Sequence, residues 1–444
     1  MALVLGLAAL LGTASRLPAA WAQDELFVTN CGTNSVLVFT RTASGNTAPL
    51  RTLQGAATGL SCPHGLAVDQ VNNELLVENA NSITVYPRTA SGNTAPLRTL
   101  VPTGLNIGNL FVDPVNNELV VTDFVGPSVA VFTRTASGNT APLRTLQGAA
   151  TGLGSPQAVV VDPVNNELLV VNTNSITVYP RTASGNTAPL RTLQGAATGL
   201  NSPSALFVDL VNNELVVSNS ANPLGLSPVR SSIRVYARTA DGNTAPLRVL
   251  RSPELVGPLG LAVDTVDNEL LVVKNLHATV FGPSSPSCSI SIDAAVLVFP
   301  RVASGDICPL RTLEGNATGL TNPQFLAVSS PATSLAAAVL PASRSVQVGT
   351  PATAFATVIN LDTGLATGCS LAPAMSLPAT FSYQTTDPTT NALTGSPNTP
   401  VDIAPSAAQS FVFALTPTSP IAPTDVPLSF ACTNTAPAPS VIGL

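Results

Sequence analysis

The segment AVVVDPVNNELLVVNTNSITVYPRTASGNTAPLRTLQG, residues 158–195, decides the fold of this chain. It contains four short apolar runs, which are AVVVD, ELLVVN, SITVYP and APLRTL. Each run is bounded by Gly, Asn, Asp, Pro or Ser, and most are rich in β-branched residues. We therefore predict four antiparallel strands, named a to d in chain order.

The same segment recurs along the chain. RTASGNTAPLR begins at Arg41, Arg88, Arg134 and Arg181, and variants of it begin at Arg238 and Arg301. The spacings are 47, 46, 47, 57 and 63 residues. Four antiparallel strands repeated with a period of about 40–50 residues are typical of the blades of a β-propeller.

The ends of the repeat predict how the ring closes. The first unit has strands b, c and d but lacks strand a, whereas a lone strand a, QFLAV, appears at residues 324–328 after the sixth unit. We expect this last strand to complete the first blade, because closure removes an exposed sheet edge. The fold class predicted is all-β, with a six-bladed propeller over residues 23–332.

ELFVTN at residues 25–30 and the pattern P-x-x-L-A-V-D…N-E-L-L-V resemble the YVTN and NHL types of propeller repeat. The resemblance covers about 300 residues. It implies the fold and leaves the function open, since such repeats serve binding proteins and enzymes alike.

Composition and the N-terminus point to an exported protein. Residues 1–22 read as a signal peptide, with an apolar stretch and an Ala-Trp-Ala cleavage site, although no Lys or Arg precedes the stretch. No later segment is long and apolar enough to span a membrane. The net charge is −6 with no basic cluster, which disfavours nucleic-acid binding. We predict a secreted or periplasmic protein that is a monomer, because a closed ring covers its own edges.

The loops divide between two ends of the propeller. Loops d→a and b→c lie at one end, called the top, and loops a→b and c→d at the other, called the bottom. The most uniform phrases, D-x-V-N-N-E and RTASGNTAP, are assigned to the bottom. The b→c loop lengthens at residues 219–231 and again at 275–293, so we predict that function resides at the top near the fifth and sixth blades.

Three charged residue types repeat with the blades, and structural roles explain them best. An Asp ends strand a in five units, where it can accept backbone N–H bonds of the next turn, and Ser329 replaces it once. A Glu begins strand b in every unit, and two Arg per unit flank the c→d loop. Cross-strand Arg–Glu pairs on the blade surface are the expected arrangement. An arginine ring facing a ligand is the alternative.

Strand b ends in an amide or carboxylate, and these groups are the predicted binding residues of the channel mouth. They are Asn30, Asn79, Asp123, Asn172, Asn219 and Asn275. Carboxylate and carbonyl oxygens suit Ca²⁺, with Asp123 and Glu78 as the candidate metal ligands. The set superficially resembles the metal-dependent gluconolactonase and paraoxonase propellers. The alternative is that each Asn caps the tight b→c turn, in which case no cofactor is expected.

The chain has two histidines, His64 and His277, both expected at the top. They could serve as acid and base of a lactonase-like site, or be two unrelated surface residues. The sequence contains no G-x-S-x-G, H-E-x-x-H or Gly-rich phosphate motif. This scarcity of catalytic groups favours a protein that is not an enzyme.

Six cysteines in an exported chain predict three disulfides. Cys31 and Cys62 lie in top loops of neighbouring blades. Cys288 and Cys308 belong to the sixth blade, and their pairing requires the insertion to fold down towards a bottom loop. Cys369 and Cys432 would join two sheets of the C-terminal domain.

Residues 333–444 are rich in Ala, Thr, Pro and Ser and nearly free of charge. Alternating segments near residues 345–348, 354–360, 380–383, 411–415 and 427–431 predict a small antiparallel β-sandwich. AFATVIN and AAQSFVFAL resemble bacterial immunoglobulin-like accessory domains. Because the chain ends soon after the last predicted strand, we expect this domain to be truncated.

Two functions follow as hypotheses. The first is a noncatalytic binding or scaffold protein that contacts a protein or glycan ligand through the top face. The second is a metal-dependent, lactonase-like hydrolase at the channel mouth. A purely structural surface protein is a third.

Overall fold

The repeated segments fold into four-stranded antiparallel sheets in the computed structural model. It describes residues 25–70, 72–220, 231–265, 267–275, 288, 293–329, 335–340, 345–360, 365–388, 390–404, 407–422, 424–432 and 438–442. Described helix is limited to four short 3-10 turns, namely Cys31–Thr33, Ala56–Thr58, Ala149–Thr151 and Asn316–Thr318. Within the described ranges no helix is long and apolar enough to cross a membrane. The chain is therefore all-β, as predicted.

The chain divides into two compact units, and Gln23–Ser329 forms one of them. Its described strands make six sheets, each with strands in the order a, b, c, d. Sheet 1 has Pro323–Ser329, Glu25–Asn30, Ser35–Thr40 and Arg51–Gln54; sheet 2 has Leu66–Asp69, Glu74–Asn79, Ser82–Pro87 and Arg98–Leu100; sheet 3 has Ile107–Asp113, Glu118–Asp123, Ser128–Thr133 and Arg144–Gln147. Sheet 4 has Ala158–Asp162, Glu167–Val171, Ile176–Pro180 and Arg191–Leu193; sheet 5 has Pro203–Asp209, Glu214–Asn219, Ser232–Ala237 and Arg248–Arg251; sheet 6 has Pro258–Asp264, Glu269–Lys274, Ala295–Pro300 and Arg311–Leu313.

This set of small antiparallel sheets fits a β-propeller. Pro323–Ser329 pairs with Glu25–Asn30, so strands from both ends of the unit form sheet 1. Strand d is shorter than the sequence suggests. In each sheet it begins at the Arg of P-L-R and excludes the Pro before it, in keeping with the absence of a donor N–H on Pro.

Apolar side chains fill the spaces between successive sheets. Six buried clusters each combine residues of two sheets that follow one another in the chain, and one of the six joins sheet 6 to sheet 1. In strand b of sheet 2, for example, Leu75 and Val77 pack against sheet 1, whereas Leu76 packs against sheet 3. Alternate residues of a strand point to opposite faces, so each sheet is buried on both sides.

The repeated Glu and the second Arg of each unit pair within one sheet, as predicted, but the pairs are largely buried rather than on the blade surface. In sheet 3, Arg144 Nη1 and Nη2 lie 2.5 and 2.7 Å from the two carboxylate oxygens of Glu118. Such bidentate pairs fix both position and orientation of the guanidinium. The same pair occurs in every sheet, as Arg51–Glu25, Arg98–Glu74, Arg144–Glu118, Arg191–Glu167, Arg248–Glu214 and Arg311–Glu269.

The first Arg of each unit has a role that the sequence did not suggest. Its guanidinium reaches back to the Asp at the end of strand a in the preceding sheet, and in sheet 6 Arg301 Nε lies 2.7 Å from Asp209 Oδ2 of sheet 5. These pairs are largely buried rather than on the blade surface. They are Arg134–Asp69, Arg181–Asp113, Arg238–Asp162, Arg301–Asp209 and Arg41–Asp264. Arg88 corresponds to them in sheet 2, and Ser329 stands at the position of the Asp in sheet 1.

The two sets of arginines also contact each other. In every sheet the Arg of strand d donates from Nη2 to the backbone carbonyl of the first Arg in the next sheet. The last of these bonds runs from Arg311 of sheet 6 to Arg41 of sheet 1. Each junction between sheets is thus joined at the bottom end by charged side chains that are themselves oriented by carboxylates.

The segment RTASGNTAP was assigned to the bottom, and this assignment is wrong in part. Its Gly forms a parallel bridge to strand d of the preceding sheet, and its Asn lies near the turn beyond that strand. Asn93 Oδ1 accepts the Ala57 N–H at 2.7 Å, and a Cβ on Gly55, whose φ is +132°, would lie 2.3 Å from Asn93 Oδ1. The bridges are Leu53–Gly92, Leu100–Gly138, Leu146–Gly185, Leu193–Gly242, Leu250–Gly305 and Leu313–Gly45.

The second unit contains the described strands from Leu335 onward, and it has two sheets. One sheet has the order Leu335–Leu340, Ala352–Asn360, Ala408–Pro417, Ala379–Thr386, Leu393–Thr394, and the other Val401–Ile403, Ala366–Pro373, Pro427–Ala431, Ala438–Ile442. A common apolar core includes Phe411, Phe413 and Phe430. Residues 345–348 form no strand, which corrects that prediction, and Ala438–Ile442 is a strand that the sequence did not predict.

We expect Asp209→Asn to destabilise the protein by about 3 kcal/mol, because Arg301 loses the charge of its buried partner. Burial alone would raise the pKa of Asp209, but the bonds from Arg301, Asn212 and Val211 outweigh burial and hold that pKa below its ordinary value. Stability from this carboxylate is therefore present at neutral pH and lost as the pH falls through the lowered pKa. Urea unfolding at pH 7 and in acid should show the two proteins converging in acid.

The control is Asp241→Asn, because Asp241 is an exposed carboxylate in the c→d segment of sheet 5. This change should alter stability by less than about 0.5 kcal/mol. Equal effects of the two substitutions would contradict the role of the pair between sheets.

Candidate functional site

The amides that end strand b are buried and bonded, so they do not form a free ring around the mouth. Asn30, Asn79, Asn172 and Asn219 are each at most 2% exposed. The Oδ1 atom of each accepts a backbone N–H of the incoming d→a segment, at 2.9 Å from Asn322, 2.9 Å from Ser61, 2.9 Å from Gly154 and 2.6 Å from Asn201, respectively. These four oxygens fix the d→a segment, and Nδ2 of Asn30 also donates to Thr33 Oγ1 in the b→c turn at 2.7 Å. The binding role of the four side chains stays a prediction.

The sixth member of the predicted ring was assigned to the wrong residue. Lys274 occupies the last position of strand b in sheet 6, and Asn275 lies after the strand and is half-buried. Lys274 is 1% exposed, and its Nζ lies 3.0 Å from Oε2 of the buried Glu254 in the d→a segment. An ion pair thus replaces the amide bond at this junction. ELLVVKN is one residue longer than the corresponding segments ELLVEN and ELLVVN of other units, so its Asn does not align with the end of strand b.

Asp123 is the one carboxylate of the set, and it organises an exposed turn. Its Oδ1 accepts the N–H groups of Asn106, Val125 and Gly126 at 3.1–3.2 Å. Phe124 donates its own N–H to the Asn106 carbonyl at 3.1 Å. The side chains of Phe124 and Val125 are nevertheless 42% and 60% exposed. Asp123 therefore holds two apolar side chains in water at the top end, a feature that its carboxylate alone did not predict.

Glu78 lies on strand b of sheet 2 and is 1% exposed. Its Oε2 accepts the Gly65 N–H at 2.7 Å, whereas Oε1 is buried with no hydrogen-bond partner. Burial raises the pKa of Glu78 to about 8, against the smaller lowering effect of the Gly65 bond. At neutral pH the carboxyl is mostly protonated, and it then has an O–H to donate. A neutral carboxyl is a poor ligand for Ca²⁺.

His64 lies beside the first disulfide. Cys31 and Cys62 are bonded, as predicted, and join the b→c turn of sheet 1 to the segment that enters sheet 2. His64 Nε2 lies 3.7 Å from Cys62 Sγ, and burial lowers the pKa of the imidazole. His277 lies outside the described residues. An acid–base pair of the two histidines therefore stays a prediction.

The other two predicted disulfides, Cys288–Cys308 and Cys369–Cys432, are also present. Cys369 and Cys432 were expected to join two sheets, but they lie beside the paired residues Ser370 and Ala431, so their bond joins neighbouring strands of one sheet. Cys308 follows Ile307, whose N–H donates to the carbonyl of Arg251 in sheet 5. The c→d segment runs along that strand of sheet 5. Residues 276–287 and 289–292 of the insertion lie outside the described residues, so its expected downward fold stays a prediction. Three disulfides indicate an oxidising environment.

Two groups of possible metal ligands occur among the described residues, each with ligand atoms within 4.8 Å of one another. One is Cys31, Cys62 and His64, in which the two cysteine sulfurs are bonded to each other in a disulfide. The other is Asp264, Asp267 and Glu269, which pair with Arg41 and Arg311. The predicted ligands Asp123 and Glu78 belong to neither group.

No family model matches the sequence, and no curated protein is similar to it. A chain of a nidogen/laminin complex is 15% identical with a TM-score of 0.48, covering 68% of this chain and 97% of that one. A functionally unknown protein of Desulfotomaculum acetoxidans DSM 771 is 11% identical with a TM-score of 0.47, covering 70% and 100%. A candidate 6-phosphogluconolactonase of Bacteroides fragilis NCTC 9343 is 12% identical with a TM-score of 0.44, covering 70% and 100%. At these values the likenesses assign no function.

We expect Glu78→Gln to remove a pH dependence of stability. A carboxyl whose folded pKa is raised stabilises the fold at low pH, and this contribution is lost as the pH rises towards that pKa. Wild-type protein should lose up to about 1.4 kcal/mol per pH unit between about pH 5 and pH 8 relative to the variant. Urea unfolding across this range measures the difference. Parallel stability curves for the two proteins would show that Glu78 ionises normally.

Proposed function

We propose that residues 23–332 form a closed six-bladed propeller of the NHL/YVTN type, followed by an immunoglobulin-like domain at 333–444. The kinds of contact that join successive sheets also occur between sheet 6 and sheet 1, which supports closure. The apolar cluster, the Leu313–Gly45 bridge and the Arg41–Asp264 pair all join these two sheets. The signal-like residues 1–22 and the disulfides support a secreted or periplasmic monomer.

On this scaffold we propose a noncatalytic binding function, with a protein ligand contacted at the top of sheet 3. The observation that carries it is the turn of Phe124 and Val125, two apolar side chains exposed on a backbone that Asp123 fixes. Aromatic side chains on fixed backbone are frequent centres of protein interfaces, since little conformational entropy is lost on binding.

The corresponding turns of other sheets differ from this one. Sheet 2 has Ala80 and Asn81, and sheet 4 has Thr173 and Asn174, all small or polar. A turn in sheet 3 that followed the repeat would also have small or polar residues. The fold of the repeat therefore does not need the apolar turn of sheet 3.

To test this, peptides selected from a phage-displayed random library against the full-length protein should lose binding to the Phe124→Ser/Val125→Ser variant. We expect at least a tenfold weaker Kd, as for loss of an interface centre. The matched control is Leu143→Ser, an exposed apolar residue of the same sheet at the bottom end. It should leave the Kd unchanged.

Peptides that bind both variants as well as wild type would overturn the assignment to this turn. Selective binding to a glycan array, lost in the same double variant and absent for peptides, would replace the protein ligand with a glycan.

The lactonase-like alternative has less support, because Asp123 Oδ1 already accepts three N–H groups and neither Asp123 nor Glu78 belongs to a group of described residues whose ligand atoms lie within 4.8 Å of one another. We expect 5 mM CaCl₂ to leave the melting temperature within about 1 °C of its value in EDTA, whereas a ligand present at 100 times its Kd would add about 2.7 kcal/mol of stability. A rise of several degrees that Asp123→Asn abolishes would restore the metal-dependent hypothesis.

A further inference from the structure

The junction between sheets 2 and 3 differs from those that follow the common repeat. After sheets 1, 3, 4 and 6, the d→a segment contains a Thr that is at most 1% exposed, namely Thr58, Thr151, Thr198 and Thr318. Between sheets 2 and 3 the segment is L-V-P-T-G-L instead of L-Q-G-A-A-T-G-L, which is two residues shorter. Thr103, which corresponds to the buried Thr, is exposed.

A second change accompanies the shorter segment. Tyr86, Tyr179 and Tyr236 on strand c donate their hydroxyls to the carbonyls of Thr58, Thr151 and Thr198. Sheet 3 has Phe132 at this position, and it has no hydroxyl to donate. The chain thus lacks both the turn and the phenol that bonds to it at this junction.

An open cleft with a volume of about 330 Å³ lies at this junction. Its apolar lining comes from Pro102, Leu105, Phe132 and Pro142, and its polar lining includes Thr103 and Asn139. The Thr103 hydroxyl lies 2.8 Å from Asn139 Oδ1. No charged side chain lines the cleft.

The junction between sheets 5 and 6 shows that a missing turn does not require a cleft. It too lacks the common segment and has Phe299 in place of Tyr. There Leu255, which is 3% exposed, packs into the apolar cluster between the two sheets, and the Lys274–Glu254 pair lies beside it. Between sheets 2 and 3 Pro102 is buried and Leu105 packs against the apolar cluster, whereas Val101 and Thr103 are exposed and the cleft lies beside them.

We propose that the cleft between sheets 2 and 3 binds a small uncharged molecule with an apolar ring and one hydroxyl or amide group. Ligand sites are typically apolar concavities of about 300–1,000 Å³ with a few polar groups that orient the ligand. The ring would pack against Leu105 and Pro142, and the polar group would bond at Asn139 and Thr103. A charged ligand is disfavoured, because burial of its charge has no counter-charge to offset it.

The test uses 4-fluorobenzyl alcohol as the probe and its ¹⁹F line width as the measure of binding to the full-length protein. We expect saturable broadening with a Kd on the order of 1 mM, typical of a ligand with so few atoms. 4-Fluorobenzoate and 4-fluorobenzylammonium should bind at least fivefold more weakly.

The decisive variant replaces residues 101–103 with the sequence of residues 147–151 and carries Phe132→Tyr. It restores at this junction the turn and phenol that the protein already has at three others, so the fold should be retained. A second variant, Leu105→Phe, fills the cleft without an insertion. Both should weaken the alcohol at least fivefold, whereas Gln194→Ala, which lies outside the cleft, should not.

Absence of broadening in wild-type protein at 10 mM probe would overturn the proposal. Unchanged binding in a folded Leu105→Phe protein and in the restored-turn variant would do the same, as would preferential binding of either charged analogue.

Discussion

The structure depends on how charge is buried at the lower end of each junction between sheets. A guanidinium placed between two sheets loses hydration, and this loss is offset only if carboxylates and carbonyls surround it with good geometry. Glu in strand b orients one Arg, that Arg bonds to the backbone at the second Arg, and the second Arg reaches an Asp of the sheet before. Twelve of the 18 basic residues of the chain belong to this arrangement. The uniformity of D-x-V-N-N-E and RTASGNTAP follows from it, because each phrase supplies atoms to two sheets.

Much of the fold could be predicted from the sequence, because a four-strand unit is repeated in it six times. The strand that completes sheet 1 could be found by counting, and the disulfides by placing cysteines on loops. The Arg–Asp pairs could not, since they join residues from different repeats and leave no local pattern. The path of RTASGNTAP along the neighbouring strand was missed for the same reason, and with it the position of Cys308.

The candidate site was less predictable than the fold. An Asn at a strand end looks the same in sequence whether its oxygen faces a channel or a backbone N–H, and here it accepts the N–H. The informative signals were departures from the repeat. Phe124 and Val125 stand where other sheets have small polar residues, and Phe132 stands where three sheets have Tyr. The Thr turn and the Tyr hydroxyl are lost together between sheets 2 and 3 and again between sheets 5 and 6, a correlated change that the aligned repeats could have shown.

Sheet 1 is built from the two ends of its unit, and this has a consequence for biosynthesis. Glu25–Asn30 leaves the ribosome first, but its partner Pro323–Ser329 is made some 300 residues later. Until then the first sheet to be synthesised has an unpaired edge strand, which is prone to pair with other chains. Contacts of such long sequence separation also form slowly. On the proposed export route, a chain that leaves the cytosol before Pro323–Ser329 has docked avoids crowded neighbours during this interval, and the Cys31–Cys62 bond can form in the new compartment before sheet 1 is complete.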